Sequence, residues 1–180
     1  MVELKKNKKA FESQVKIYKS LRRLLLTKPL ADIKVADISE ESGISRSSFY
    51  RNFQNVVEVL EVMLDYFYNR YLEERWDQAD QLLFFFKYWA NHRDLISIIA
   101  KQNETILKDC LKRYDKNAYD DPFTLDIKTS LISSILCMWS INKKYTPEDM
   151  VKLTSNVLNK RNLEILLTNE FNDKINKKEA

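Results

Sequence analysis

The chain uses glycine once in 180 residues, at Gly43. At ordinary usage of about 7 % a protein of this length would hold roughly 13. That shortage constrains the fold more than any other feature. Glycine-rich phosphate loops and dinucleotide fingerprints need several glycines, because their backbone turns sharply and approaches phosphate closely. None of them can be written in this sequence. With only three prolines as well, the chain has little of the turn chemistry that an all-β protein requires. Gly43 therefore marks a place where the backbone needs a conformation that other residues adopt only at a cost.

Hydrophobic periodicity predicts helices instead. Phe11, Val15, Tyr18, Leu21 and Leu25 recur at helical spacing and predict a first helix over 8–26. Pro29 follows it, and the residue before a proline is pushed away from helical angles. Two short helices are expected over 35–42 and 46–53, with Ser45 as N-cap of the second. A longer one follows over 56–71. Residues 79–91 are apolar around most of their circumference, the pattern of a buried helix. Further helices are expected over 93–101, 104–114, 123–142 and 147–158, and a loop over 115–122. Asn159–Asn162 is expected to break the chain before an amphipathic segment over 163–171. No alternating strand pattern and no repeat is present, so the expected class is all-α.

Charge is unevenly placed. Residues 1–53 hold 12 Lys and Arg against 6 Asp and Glu, whereas the remaining 127 hold 18 against 20. A basic module attached to a nearly neutral body is the expected organisation. Lys5, Lys6, Lys8 and Lys9 begin it as a short basic arm, which by itself reads as a solvated terminus and becomes a minor-groove or phosphate contact only if the next segment binds an anionic polymer. The longest apolar run, Leu82 to Phe86, is far below the roughly 20 residues that span a bilayer, so no membrane partner is expected. Cys110 and Cys137 lack the spacing of a disulfide framework or a metal site. A reduced, cytoplasmic protein without metal or cofactor is the expectation.

The segment from Val35 to Phe53 carries the functional signal. Ile38, Ile44, Phe49 and Phe53 are the apolar residues that would join two short crossing helices, and Ser39 and Ser42 are small where those helices approach. Gly43 stands where the first must end in a left-handed residue. The second opens on Ser45, Arg46, Ser47 and Ser48, donors suited to phosphate oxygens and base edges. A pair of small core helices with no nucleic-acid role fits the same apolar pattern. The basic charge of this half favours a DNA reader.

These residues carry a resemblance. Ile33–Leu60, and within it Ser45-Arg-Ser-Ser-Phe-Tyr-Arg-Asn-Phe53, resembles the DNA-binding segment of TetR-family transcriptional regulators. The aromatic stretch Phe84–Trp89 and the helix containing Trp139 are similar to ligand-domain patterns in low-GC Gram-positive members. The resemblance implies a three-helix DNA-binding domain over 1–54 and a helical effector and dimerisation domain over 55–180. It further implies a homodimer on a near-palindromic double-stranded operator. Arg46 and Ser47 fall where the recognition helix reads bases. Ser45, Ser48, Tyr50 and Asn52 fall at phosphate-contacting positions, and Arg51 adds charge. Two positions depart from the family pattern. Val56 stands where a phosphate-binding lysine is usual at the start of the fourth helix, which implies a shallower salt dependence. Lys34 replaces a capping threonine; it cannot accept as an N-cap, but its charge can reach a phosphate.

In the body, Trp76, Phe85, Tyr88, Trp89 and Trp139 are the candidate lining of a pocket for a small hydrophobic or aromatic effector, with ordinary core packing as the competing role. Leu131, Ser134, Ile135 and Met138, with Val151 and Leu158 on the following helix, are the candidate dimer seam. There the small Ser130, Ser133, Ser134, Cys137 and Ser140 would permit close approach; an intramolecular core explains the same positions. An enzyme is not expected: His92 is the only histidine, and no nucleophile motif is present. The expected function is a homodimeric repressor released by an effector. The alternative is a co-regulator or interaction protein of the same fold that binds DNA weakly or not at all.

Overall fold

The computed structural model describes residues 8–103, 105–115 and 121–159. Among them it contains nine α-helices and no strand, as the glycine shortage and the periodicity require. Lys5, Lys6, most of the 115–122 loop, Asn162 and the 163–171 helix lie outside the described residues.

Helix α1 (Lys8–Leu24) buries Ile17, Tyr18 and Leu21 on one face. It ends two residues earlier than expected. Leu26 and Thr27 donate to Arg23 and Leu24 one turn back, and Pro29 then starts a 3-10 turn at Leu30–Asp32 that the periodicity did not signal. Leu30 is buried there, and its N–H donates to Gln102 Oε1 at 3.2 Å. Helices α2 (Val35–Ser42) and α3 (Arg46–Tyr50) form the short crossing pair. Helix α3 is shorter than the 46–53 reading, but Arg51 and Phe53 still donate one turn back, to Ser47 and Phe49.

Helix α4 (Val56–Glu74) is the spine. Asn55 caps it, its side chain accepting from Glu58 N–H at 2.9 Å. Val59, Leu60, Met63 and Leu64 are buried in its first half, and Tyr68 and Tyr71 in its second. Phe67 lies 6.5 Å from the Tyr18 ring of α1 and 4.0 Å from the His92 ring, so α4 packs on both α1 and the junction that follows residue 91. One unbroken apolar core consequently runs from α1 to α9. A 3-10 turn at Arg75–Asp77 leads into α5 (Gln81–Asn91), capped by Asp80.

Helices α6 (Arg93–Gln102), α7 (Thr105–Asp115) and α8 (Pro122–Ile141) pack together, and α9 (Pro147–Val157) covers α5. The Asp65 carboxylate of α4 accepts from Arg113 of α7 at 2.6 Å. Arg93 lies over the Trp139 ring at 4.6 Å. It donates to the carbonyls of Trp139 and Asn142 at the C-terminal end of α8, where backbone carbonyls lack helical partners. The small residues of α8 mostly face inward: Thr129, Ser133, Cys137 and Ser140 are buried against neighbouring helices, and only Ser134 of the expected small-residue seam is fully exposed. The close approach they permit is within the subunit. Among the described residues, no helix is long and apolar enough to cross a membrane.

Candidate nucleic-acid interface

The α2–α3 unit is built by local rules. Gly43 ends α2 at φ 67° and ψ 16°, the left-handed conformation that glycine adopts without steric cost. A Cβ placed there would meet nothing within 4 Å, so the requirement for glycine is conformational alone. Ser45 then caps α3: its Oγ accepts from the Ser48 N–H at 3.2 Å. Phe49 and Phe53, both about 1 % exposed, pin α3 to the core beside Ile38. Tyr50, one residue on, projects outward and is 59 % exposed.

The two buried phenylalanines fix which side of α3 faces water. Ser45, Arg46, Ser47, Tyr50 and Arg51 are exposed, while Ser48 and Asn52 are half-buried. The hydroxyls interlock: Ser45 Oγ is 3.1 Å from Ser47 Oγ and donates to Ser48 Oγ at 3.0 Å. Arg51 donates to Ser48 Oγ at 2.6 Å, and Asn52 Nδ2 to the Ser48 carbonyl at 2.7 Å. Ser48, Arg51 and Asn52 therefore stiffen the turn. Arg46 makes no ion pair among the described residues, and its charge is open to a ligand.

Arg46 and Tyr50 border a shallow hollow of about 440 Å³ with Lys34, Gln54, Asn55 and Val56. Lys34, at the head of α2, thus reaches the same concavity as the exposed face of α3. Its side chain supplies no helix cap. The cap comes from the other direction, Asp37 Oδ2 accepting from the Lys34 N–H at 2.8 Å. That bond, with Lys28 at 3.3 Å from the same carboxylate, holds Asp37 below the ordinary carboxylate range. Asp37 went unmarked in the sequence reading, although a carboxylate three residues after a helix start is a capping signal. Arg23 is likewise occupied, by Glu41 of α2 at 2.5 Å.

The aromatic residues need correction as a pocket. Trp76 is 74 % exposed, standing beside Arg75 in the 3-10 turn. Phe85, Tyr88 and Trp89 meet the Tyr71 ring at centroid distances of 5.6, 5.5 and 6.4 Å and fill space rather than line it. The Tyr88 hydroxyl donates to the Phe67 carbonyl, and burial pushes its acidity well down. Trp139 lies elsewhere, 5.4 Å from Phe86 and flooring an apolar cleft of about 340 Å³ between α8 and α9. Leu131, Ile135, Met138 and Leu158 line that cleft. Ser134 is exposed on α8, and Val151 packs against the core. Two sets that the sequence reading kept apart, Trp139 and the α8–α9 seam, thus share one surface.

No family model matches the chain, and no match was found among curated proteins. The crystal structure of Lin0861 from Listeria innocua superposes with a TM-score of 0.68, covering 86 % of this chain and 93 % of that one at 19 % identity. At that identity the likeness is one of fold, and it extends over nearly the whole of both chains.

Proposed function

We propose that the protein is a DNA-binding transcriptional regulator that acts as a homodimer, most simply as a repressor. The observation that carries the reading is the α2–Gly43–α3 unit. Its buried side is fixed by Phe49 and Phe53, and its exposed side offers Arg46, Ser47 and Tyr50, with Lys34 on the same hollow. A short helix with an exposed arginine beside serine hydroxyls suits a major groove, where arginine reads guanine bidentately and hydroxyls serve bases and phosphates. The TetR-family resemblance of the same segment supports this assignment.

The second copy is assigned to the α8–α9 face. Met138 is 73 % exposed at the apolar cleft, and Leu131, Leu153 and Val157, also exposed, line the same cleft. Contiguous apolar surface of this kind marks an interface. Reading both halves of a palindrome then requires the two α3 helices to sit roughly one duplex turn, about 34 Å, apart.

One set of observations favours the weak-binding co-regulator instead. Val56 puts no cation at the start of α4, and Arg23 and Lys28 are already engaged by carboxylates. Selection of bound duplexes from a random pool separates the two. The regulator returns a palindrome, and Arg46→Ala lowers affinity for it by about 1–3 kcal/mol per half-site while leaving the melting temperature unchanged. Unselective recovery, or equal binding by wild type and Arg46→Ala, assigns the co-regulator.

A further inference from the structure

A second cleft, of about 580 Å³, lies where the C-terminal half of α1 meets α6 and the end of α8. Its volume falls in the usual range for small-molecule sites, about 300–1,000 Å³. The charge of its walls is one-sided. Lys19, Arg22 and Arg23 come from α1, Arg93 and Lys101 from α6, and Lys143 from just after α8. Asp94 is the one carboxylate on the wall, and it is taken by Arg22 at 2.8 Å. Arg23 is taken by Glu41 from outside the cleft. Among the described residues, Lys19, Lys101 and Lys143 have no carboxylate partner.

Arg93 differs from the lysines in being fixed. Its guanidinium is clamped between the Trp139 ring and two backbone carbonyls at the end of α8, partners that offset its charge only in part and carry no full negative charge. Its Nε is buried without an acceptor, and burial draws the group below the ordinary arginine range. Cations gathered around a concavity without matching anions repel one another, and an anion placed among them relieves that repulsion. The remaining wall is apolar, formed by Leu25, Leu26, Ile98 and Ile141. Leu26 and Ile141 stand substantially in water, 83 % and 54 % exposed.

We infer that this cleft is a binding site for a small amphipathic anion. A carboxylate or phosphate head would be held by Lys19, Lys101, Lys143 and the field of Arg93, with a short hydrocarbon body against Leu25, Leu26, Ile98 and Ile141. The site does not depend on the DNA-binding reading, because no residue of its wall belongs to α2 or α3. It shares no lining residue with the α8–α9 cleft, which adjoins it on the far side of Trp139.

The test is calorimetric titration of the full chain with octyl phosphate and with octanoate at 150 mM salt. Inorganic phosphate and octanol serve as arms carrying only the head or only the tail. At least one of the two amphiphiles binds saturably, one per chain, and more tightly than either arm; which of them binds identifies the head group. Lys101→Gln weakens that binding about tenfold and the Lys19→Gln/Lys101→Gln double variant about a hundredfold. Lys87→Gln, on α5 and paired with Glu148, leaves it unchanged. The inference is overturned if neither amphiphile saturates or if inorganic phosphate binds as tightly as octyl phosphate. It also fails if Lys87→Gln costs as much as Lys101→Gln, since the attraction is then diffuse.

Discussion

The α2–α3 unit and the α8–α9 face both offer surface to a partner, but they are made in opposite ways. The first is polar outside and is set by backbone chemistry: a left-handed Gly43, a Ser45 cap, and two phenylalanines that act as rivets. The second is apolar outside, and its helices are set by what lies behind them, the buried Thr129, Ser133 and Cys137 of α8 and Met150 of α9. A surface held by local rules keeps its shape without a partner, which suits reading a rigid duplex. A surface that leaves Met138 and Val157 in water gains by covering them. The difference assigns the two regions distinct dependencies, and each can be broken alone.

The largest expected effect comes from removing a rivet. Phe49→Ala empties a nearly fully buried ring and costs about 3–5 kcal/mol of unfolding free energy. Denaturant melts measure it, and DNA binding falls with it. The counterpart on the other face is Met138→Glu, which puts a charge at the edge of the apolar cleft. If the proposed homodimer forms through this face, the variant weakens it by about a hundredfold, a loss of about 3 kcal/mol at an interface, as read by sedimentation. Because Met138 is exposed in the subunit, the helical signal of the separated chain stays intact. If Met138→Glu unfolded the chain as Phe49→Ala does, the contrast between the two regions would fail.

The same contrast explains what could be read from the sequence. Gly43, Ser45, Phe49 and Phe53 obey rules that span at most ten residues, so their roles were legible; the caps at Asp80, Asn55 and Thr146 obey equally local rules but went unread until the structure showed them. The inward turn of Ser133 and Cys137 was not legible, because α8 carries apolar or small residues around its whole circumference and periodicity alone leaves its inner face undefined. Trp76 misled for a related reason: an aromatic residue near an aromatic run shares its composition but not its helix. The cationic cleft was invisible, since Lys19, Lys101 and Lys143 stand far apart in the chain and meet only through packing.

Gly43→Val sharpens the comparison at smaller magnitude. With no atom within 4 Å of an added Cβ, the whole cost is that of a β-branched residue at φ 67°, about 1–3 kcal/mol. Gly43→Asn, which tolerates that region, costs less. On the proposed function, binding to a selected operator falls in the order Gly, Asn, Val, while the proposed pairing through α8–α9 is untouched. Equal binding by all three would mean that the αL turn does not position α3, and the motif assignment would go with it.

The smallest effect is a pH dependence placed on one side of the comparison only. Asp37 is held below its ordinary 3.8 chiefly by the Lys34 N–H and then by Lys28. A carboxyl whose folded pKa is depressed stabilises the fold above its unfolded value, and that contribution disappears as pH falls through the folded value. The start of α2, and with it the position of Lys34 on the hollow it shares with Arg46, therefore loosens below about pH 4. Asp37→Asn removes the titration and flattens this part of the profile. The variant melts lower than wild type at pH 6, and the gap narrows toward pH 3. No such narrowing is expected for Met138→Lys, whose introduced charge does not titrate between pH 6 and 3. A gap that stays constant from pH 6 to 3 would show that Asp37 contributes by shape and not by charge, leaving the head of α2 to be held by the burial of Ile38 and Ile33.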